Sequence, residues 1–120
     1  MLTSALCVAD TLAASSEPPE ARDPTVARCA ESASRRLAGG GFDGARAAAV
    51  VARRADACIL RWEEPFSASN RKKVATMIVV PVDVELISGA SRRQTTLHAR
   101  CGVTDDKLIA IEIVAGGKSC

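Results

Sequence analysis

The chain has almost no aromatic residues. Phe42, Trp62 and Phe66 are the only ones, and Tyr is absent. Proteins that hold single-stranded nucleic acid stack bases on aromatic platforms, so that class lacks its usual equipment here. The same shortage weighs against an aromatic-rich protein interface. Charge is nearly balanced, with a net +2 over 120 residues. That is too little for attraction to a phosphate backbone, and no nucleic-acid partner is expected. There is one histidine, His98, and no C-x-x-C, H-E-x-x-H or Cys/His cluster, so no metal site is expected. No glycine-rich phosphate loop occurs, and no Ser, Thr or Cys is evidently placed as a nucleophile beside a base. No cofactor is expected. No apolar run reaches the length of a membrane span.

What remains is the composition of a globular domain, 48% apolar and 25% charged. Its organising stretch is Lys73–Ile87, K-V-A-T-M-I-V-V-P-V-D-V-E-L-I. Val and Ile lose rotamer freedom in a helix, so this stretch is a poor helix. Its even positions, Val74, Thr76, Ile78, Val80, Val82, Val84 and Leu86, are nearly all apolar, while Asp83 and Glu85 fall on the odd side. Period two with one apolar face reads as a long antiparallel strand.

The N-terminus bears on compartment. Residues 1–15 are apolar and small with no Lys or Arg, and 16–24 form a polar, Pro-rich linker. An apolar leader cleaved near Ser15 explains this pattern, although the basic n-region is missing and Asp10 interrupts the apolar run. The alternative is a short arm on a cytoplasmic protein with reduced thiols. Loss of the leader removes Cys7 and leaves Cys29, Cys58, Cys101 and Cys120, an even set in a small domain. Periplasmic or secreted localisation follows from the leader and the paired cysteines together.

Residues 25–120 then read as one α+β domain. Asp23-Pro24 starts a helix that carries Val26, Cys29, Ala30, Ala33 and Leu37 at helical spacing, and Gly39-Gly40-Gly41 ends it. Residues 44–55, rich in Ala and Arg, fit helix or strand. They are taken as a second helix, because Pro81 wants an unpaired neighbour and would face Ala55. Strands follow at 57–63, 73–87, 94–103 and 107–114, with loops Pro65–Arg71, Ser88–Arg93 and Thr104–Asp106. The expected architecture is one or two helices on one face of a four-stranded antiparallel meander, the other face open. Trp62, paired with Val74, would point into the core beside Leu60.

With those loops Asp83 lies opposite His98, and Glu112 flanks it on the other side. The outer face then carries Asp83–His98–Glu112 in a row with Arg100 beside it. A histidine between two carboxylates can serve as an acid/base pair or a pH-sensitive binding face, or it can be a solvated charge ladder. The basic groups Arg35-Arg36, Arg53-Arg54, Arg71-Lys72-Lys73 and Arg92-Arg93 do not converge in this arrangement and read as solvated surface.

Cys29, Cys58 and Cys101 all fall in the layer between helix and sheet. Cys58 and Cys101 would sit two strands apart, about 9.5 Å, beyond the roughly 4.4–6.8 Å Cα separation of a disulfide. Cys29–Cys58 with Cys101–Cys120 is the preferred pairing, and Cys29–Cys101 with Cys58–Cys120 the alternative. The functional expectation is a small exported, disulfide-stabilised domain without catalysis, inhibitor-like or an accessory subunit, that binds a protein partner in the envelope or outside the cell. The rival is a small-ligand binder or enzyme using the Asp83/His98/Glu112 face.

Overall fold

The computed structural model describes residues 22–42 and 44–116. The leader, most of the linker, Asp43 and Cys120 lie outside the described residues. The described residues form an α+β domain with one long helix packed on a mostly antiparallel sheet. The helix α1 spans Pro24–Leu37. Asp23 caps it, its carboxylate accepting from the Thr25 N–H at 2.8 Å and from the Thr25 hydroxyl. Pro24 fills the first turn, where its missing N–H costs nothing. Val26, Cys29, Ala30, Ala33 and Leu37 are buried, the stripe expected from their spacing. Ala30 and Ala33 are small, which lets the helix lie close to the sheet. Gly39, at φ +69°, turns the chain away.

The strands are β1 (Gly41–Phe42), β2 (Ala45–Ala52), β3 (Cys58–Arg61), β4 (Thr76–Ser88), β5 (Ser91–Thr104) and β6 (Lys107–Ala115). β3 to β6 form the expected meander. The expected second helix is instead β2, followed by a single 3₁₀ turn at Arg54–Asp56. Ala and Arg are good helix formers, but propensity is a small term that strand pairing overrides here. The second half of β4 has a row of backbone groups that need partners, and β2 supplies them from Arg46↔Ile87 to Ala52↔Val82. β3 takes the first half of the same edge, from Cys58↔Val79 to Arg61↔Thr76.

Pro81 lies in the gap between those two runs. Its carbonyl accepts from the Arg53 N–H at 2.8 Å, and its missing N–H falls where the 3₁₀ turn steps from β2 to β3. The proline thus has the unpaired position it requires, between two strands rather than beyond the end of one.

Three registers differ from expectation. β4 and β5 meet in a two-residue turn closed by Ser88↔Ser91, with Gly89 at φ +60°, as a tight hairpin demands. Strands of 13 and 14 residues result, and Pro81, not Asp83, faces His98. β5 and β6 meet at Asp105-Asp106, both at positive φ, closed by Thr104↔Lys107. A bulge after Gly102 moves the register once more, so that Arg100 faces Glu112 and Val114 faces His98. β3 is displaced by one residue, with Ile59 rather than Cys58 opposite Ile78. A slip of one exchanges faces, so Cys58 turns away from the helix.

That slip decides the disulfides. Cys101 remains on the helix side, opposite Ile78, and Cys29 bonds to it with the Cα atoms 5.9 Å apart. The preferred Cys29–Cys58 and Cys101–Cys120 pairing is therefore replaced by the first bond of the alternative. Cys58 is also disulfide-bonded, and its partner lies outside the described residues. The main core lies between α1 and the sheet, built on Ile78, Val80, Val82, Val84, Leu86, Leu97, Ala99 and Val103 around the Cys29–Cys101 bridge. Among the described residues no helix is long and apolar enough to cross a membrane.

Candidate binding site on the face opposite the helix

The far face of the sheet is not open. Residues 62–74 fold over one end of it and bury a second apolar cluster of Phe66, Val74, Met77, Val79 and Ala110. The loop is held by its own hydrogen bonds. Phe66 N–H donates to the Lys72 carbonyl and Ser67 N–H to the Asn70 carbonyl, each at 2.8 Å. The Trp62 indole N–H donates to the Pro65 carbonyl at 3.1 Å, and Pro65 bridges to Lys73. Gly102 is the seat of this loop. A Cβ there would lie 2.5 Å from Val74 Cγ1 and 2.9 Å from Phe66 Cδ1. Only a residue without a side chain allows Phe66, 1% exposed, to settle against β5.

Arg100 stands beside the loop. Its guanidinium is 5.7 Å from the Trp62 ring centroid and 5.5 Å from that of Phe66. One nitrogen donates to the Phe66 carbonyl at 3.4 Å, and another is 3.9 Å from Glu112. The arginine is therefore held by aromatic faces, a carbonyl and a carboxylate at once. The loop, Arg100 and Arg71 enclose an open cleft of about 460 Å³ whose wall also includes Trp62, Glu64 and Pro65. Two cations beside a half-buried indole suit a carboxylate or polar group carried on an apolar side chain or backbone.

Of the four residues expected to form a binding row, the structure joins two. Arg100 and Glu112 are lateral neighbours at the edge of the cleft. Asp83 is further along β4, where it accepts from the Thr96 hydroxyl at 2.8 Å and pairs with Arg53 at 3.0 Å. His98 lies between Pro81 and Val114, is 8% exposed, and its Nδ1 has no hydrogen-bond partner among the described residues. The Asp83–His98–Glu112 row is thus not formed, because both hairpin turns are tighter than the loops assumed.

Trp62, expected in the helix-side core, lies with Phe66 and Arg71 on the far side. Their signal was in the sequence. Two of the three aromatics stand four residues apart around Glu63-Glu64-Pro65, a clustering that spacing rules for helices and strands do not weigh. Among the described residues no group of three His, Cys, Asp or Glu side chains is placed to hold a metal ion. No family model, curated protein or solved structure matches the chain.

Proposed function

We propose that this is an exported, disulfide-braced domain that acts by binding a protein partner, as an inhibitor-like or accessory subunit, through the cleft at Trp62, Phe66 and Arg100. The observation that carries the reading is the Arg100 guanidinium fixed between two aromatic rings at the mouth of an open cleft. Trp and Arg are the residue types that concentrate binding energy at protein interfaces, and here they are already ordered before any partner arrives. The scaffold behind them is stiff, because the Cys29–Cys101 bridge ties the helix to a central strand. Three bonded cysteines, Cys29, Cys58 and Cys101, favour a periplasmic or extracellular setting over a cytoplasm of reduced thiols.

The test uses oxidised protein carrying a photo-crosslinker beside the cleft, incubated with the envelope and extracellular fractions of the native host. The expected result is a discrete protein adduct that Trp62→Ala and Arg100→Ala each abolish while both variants keep their far-UV spectrum. Adducts indifferent to both substitutions would refute the reading. N-terminal sequencing of the host protein checks export, with a start after about Ser15 expected.

A further inference from the structure

The second surface of interest is the free edge of β6. Among the described residues β6 pairs only with β5, so its outer side is an unpaired strand edge. The direction of its backbone groups follows from Pro81. The Pro81 carbonyl points towards β2 and β3, so Pro81 and His98 exchange no bonds, and His98 bonds across to Val114 instead. Alternation makes Arg100–Glu112 and Gly102–Ala110 bonded pairs as well. Ile111 and Ile113, between them, therefore aim N–H and C=O outward. Such a row is a template for another strand, and natural edges are usually blunted by lysine, proline or a covering element. The bulge opposite Gly102 is confined to the start of β6, and from Ala110 to Ala115 this edge has neither lysine nor proline, its one charge being Glu112.

The edge is also walled. Arg28, Ser32 and Arg36 recur every fourth residue and so form one stripe along α1. Arg28 donates to the Asp106 carbonyl at 2.7 Å and pins that stripe over the start of β6. From Arg28 to Arg36 the helix advances about 12 Å, and from Asp106 to Ala110 the strand advances about 13 Å, so the stripe keeps pace with the strand. The result is a groove of about 390 Å³ with Ser32 and Arg36 on one side, Asn70 on the other and Leu108–Ile111 as its floor. Among the described residues its only charged lining residue is Arg36, and Glu112 lies on the opposite face of the strand, towards Arg100.

We propose that this groove accepts an extended acidic–apolar peptide segment of a partner protein, added to the sheet as a strand beside β6. Backbone bonds to Ile111 and Ile113 hold the segment, apolar side chains lie between β6 and α1, and a carboxylate meets Arg36. The proposal extends the protein-binding reading above to a second surface, and it stands or falls on its own probe.

That probe is a capped ten-residue peptide of alternating Glu and Val. The peptide is added to the oxidised full chain, and amide shifts are followed by NMR. The expected result is saturable shifts centred on Ile111, Ile113 and the Ser32–Arg36 turn. A Lys/Val peptide and a Glu/Val peptide N-methylated at alternate amides should not bind. Arg36→Glu should weaken the Glu/Val peptide at least about fivefold, more than the loss of one exposed ion pair because the charge is reversed. Three results would overturn the proposal: equal binding of the Lys/Val peptide, binding that survives N-methylation, or shifts confined to the Trp62 cleft. Protection of the Ile111 and Ile113 amides that grows with protein concentration alone would assign the edge to a second copy of the chain instead. Failure of the peptide leaves the cleft to its own Trp62→Ala test, so the two readings fail separately.

Discussion

Replacing Gly102 with alanine places a methyl group where the 62–74 loop meets the sheet. The new Cβ would sit 2.5 Å from Val74 Cγ1, 2.9 Å from Phe66 Cδ1 and 3.2 Å from Val74 Cβ. Val74 is β-branched and stiff at χ1, so it cannot swing clear alone. Phe66 is buried against the same strand, and its carbonyl accepts from Arg100. Overpacking of this kind costs roughly 1–3 kcal/mol. Restricting the unfolded chain by exchanging Gly for Ala returns about 0.4–1 kcal/mol. The net loss is then about 1–2 kcal/mol, or roughly 5–15 °C in melting temperature for a domain of this size.

Thermal unfolding of the oxidised protein by circular dichroism reads the stability. Trp62 fluorescence reads the loop, since the tryptophan is unique and packs against the displaced cluster. A red-shifted emission before global unfolding is expected. The double variant Gly102→Ala/Val74→Ala should cost less than the sum of the two single changes, because the cavity left by Val74 accepts the new methyl. If Gly102→Ala is neutral or stabilising, or the two changes simply add, the loop is not seated on Gly102 and the cleft geometry is wrong.

Removing the Cys29–Cys101 bridge by paired Ala substitution should cost about 4 kcal/mol on the chain-entropy model, given the separation of 72 residues, and denaturant melts of oxidised protein measure it. Asp23→Ala should cost about 1 kcal/mol near neutral pH as a lost helix cap. The hydrogen bond from the Thr25 hydroxyl is the main reason the Asp23 carboxyl titrates below the ordinary 3.8. A depressed folded pKa gives stability that is present above the unfolded value and lost as pH falls through the folded one. The difference between wild type and Asp23→Ala should therefore fade on acidification below about pH 4. His98→Leu should be neutral or stabilising by up to about 1 kcal/mol, since it removes a buried nitrogen without a partner; a loss of more than about 2 kcal/mol in chemical denaturation would contradict the placement of His98 between Pro81 and Val114.

Periodicity carried the elements whose side chains face one consistent environment. The α1 stripe from Val26 to Leu37 and the even positions of β4 are of this kind, and each reads correctly because one face meets the core along its whole length. The cap at Asp23 and the glycine stop were equally legible, since local backbone chemistry decides them. Residues 45–52 were not. Their alanines and arginine lean towards helix, and the unpaired half of β4 made them a strand against that local preference. The proline rule at Pro81 was sound, but a chain that steps from β2 to β3 beside that proline satisfies it in a way no local window displays.

The binding face depended on register, which the sequence constrained only in part. Tight turns at Gly89-Ala90 and Asp105-Asp106 and the bulge after Gly102 moved the partners of His98. Shifts of two residues preserve every face, so hydrophobic pattern alone does not detect them. The one-residue displacement of β3 reversed the side on which Cys58 lies and so chose the disulfide. The sequence by itself determined the α+β class, the helix and its cap, the four meander strands and which β4 residues face the helix, because each rests on local periodicity or local backbone chemistry; that Met77 and Val79 on the other face are core as well came only from the loop folded over them. Tertiary structure alone decided the pairing of β2, the partner of Cys29, the Trp62–Arg100–Phe66 cleft and the groove beside β6. Those depend on which residues oppose one another across strands far apart in sequence, and turn geometry fixes that opposition only when the whole sheet closes.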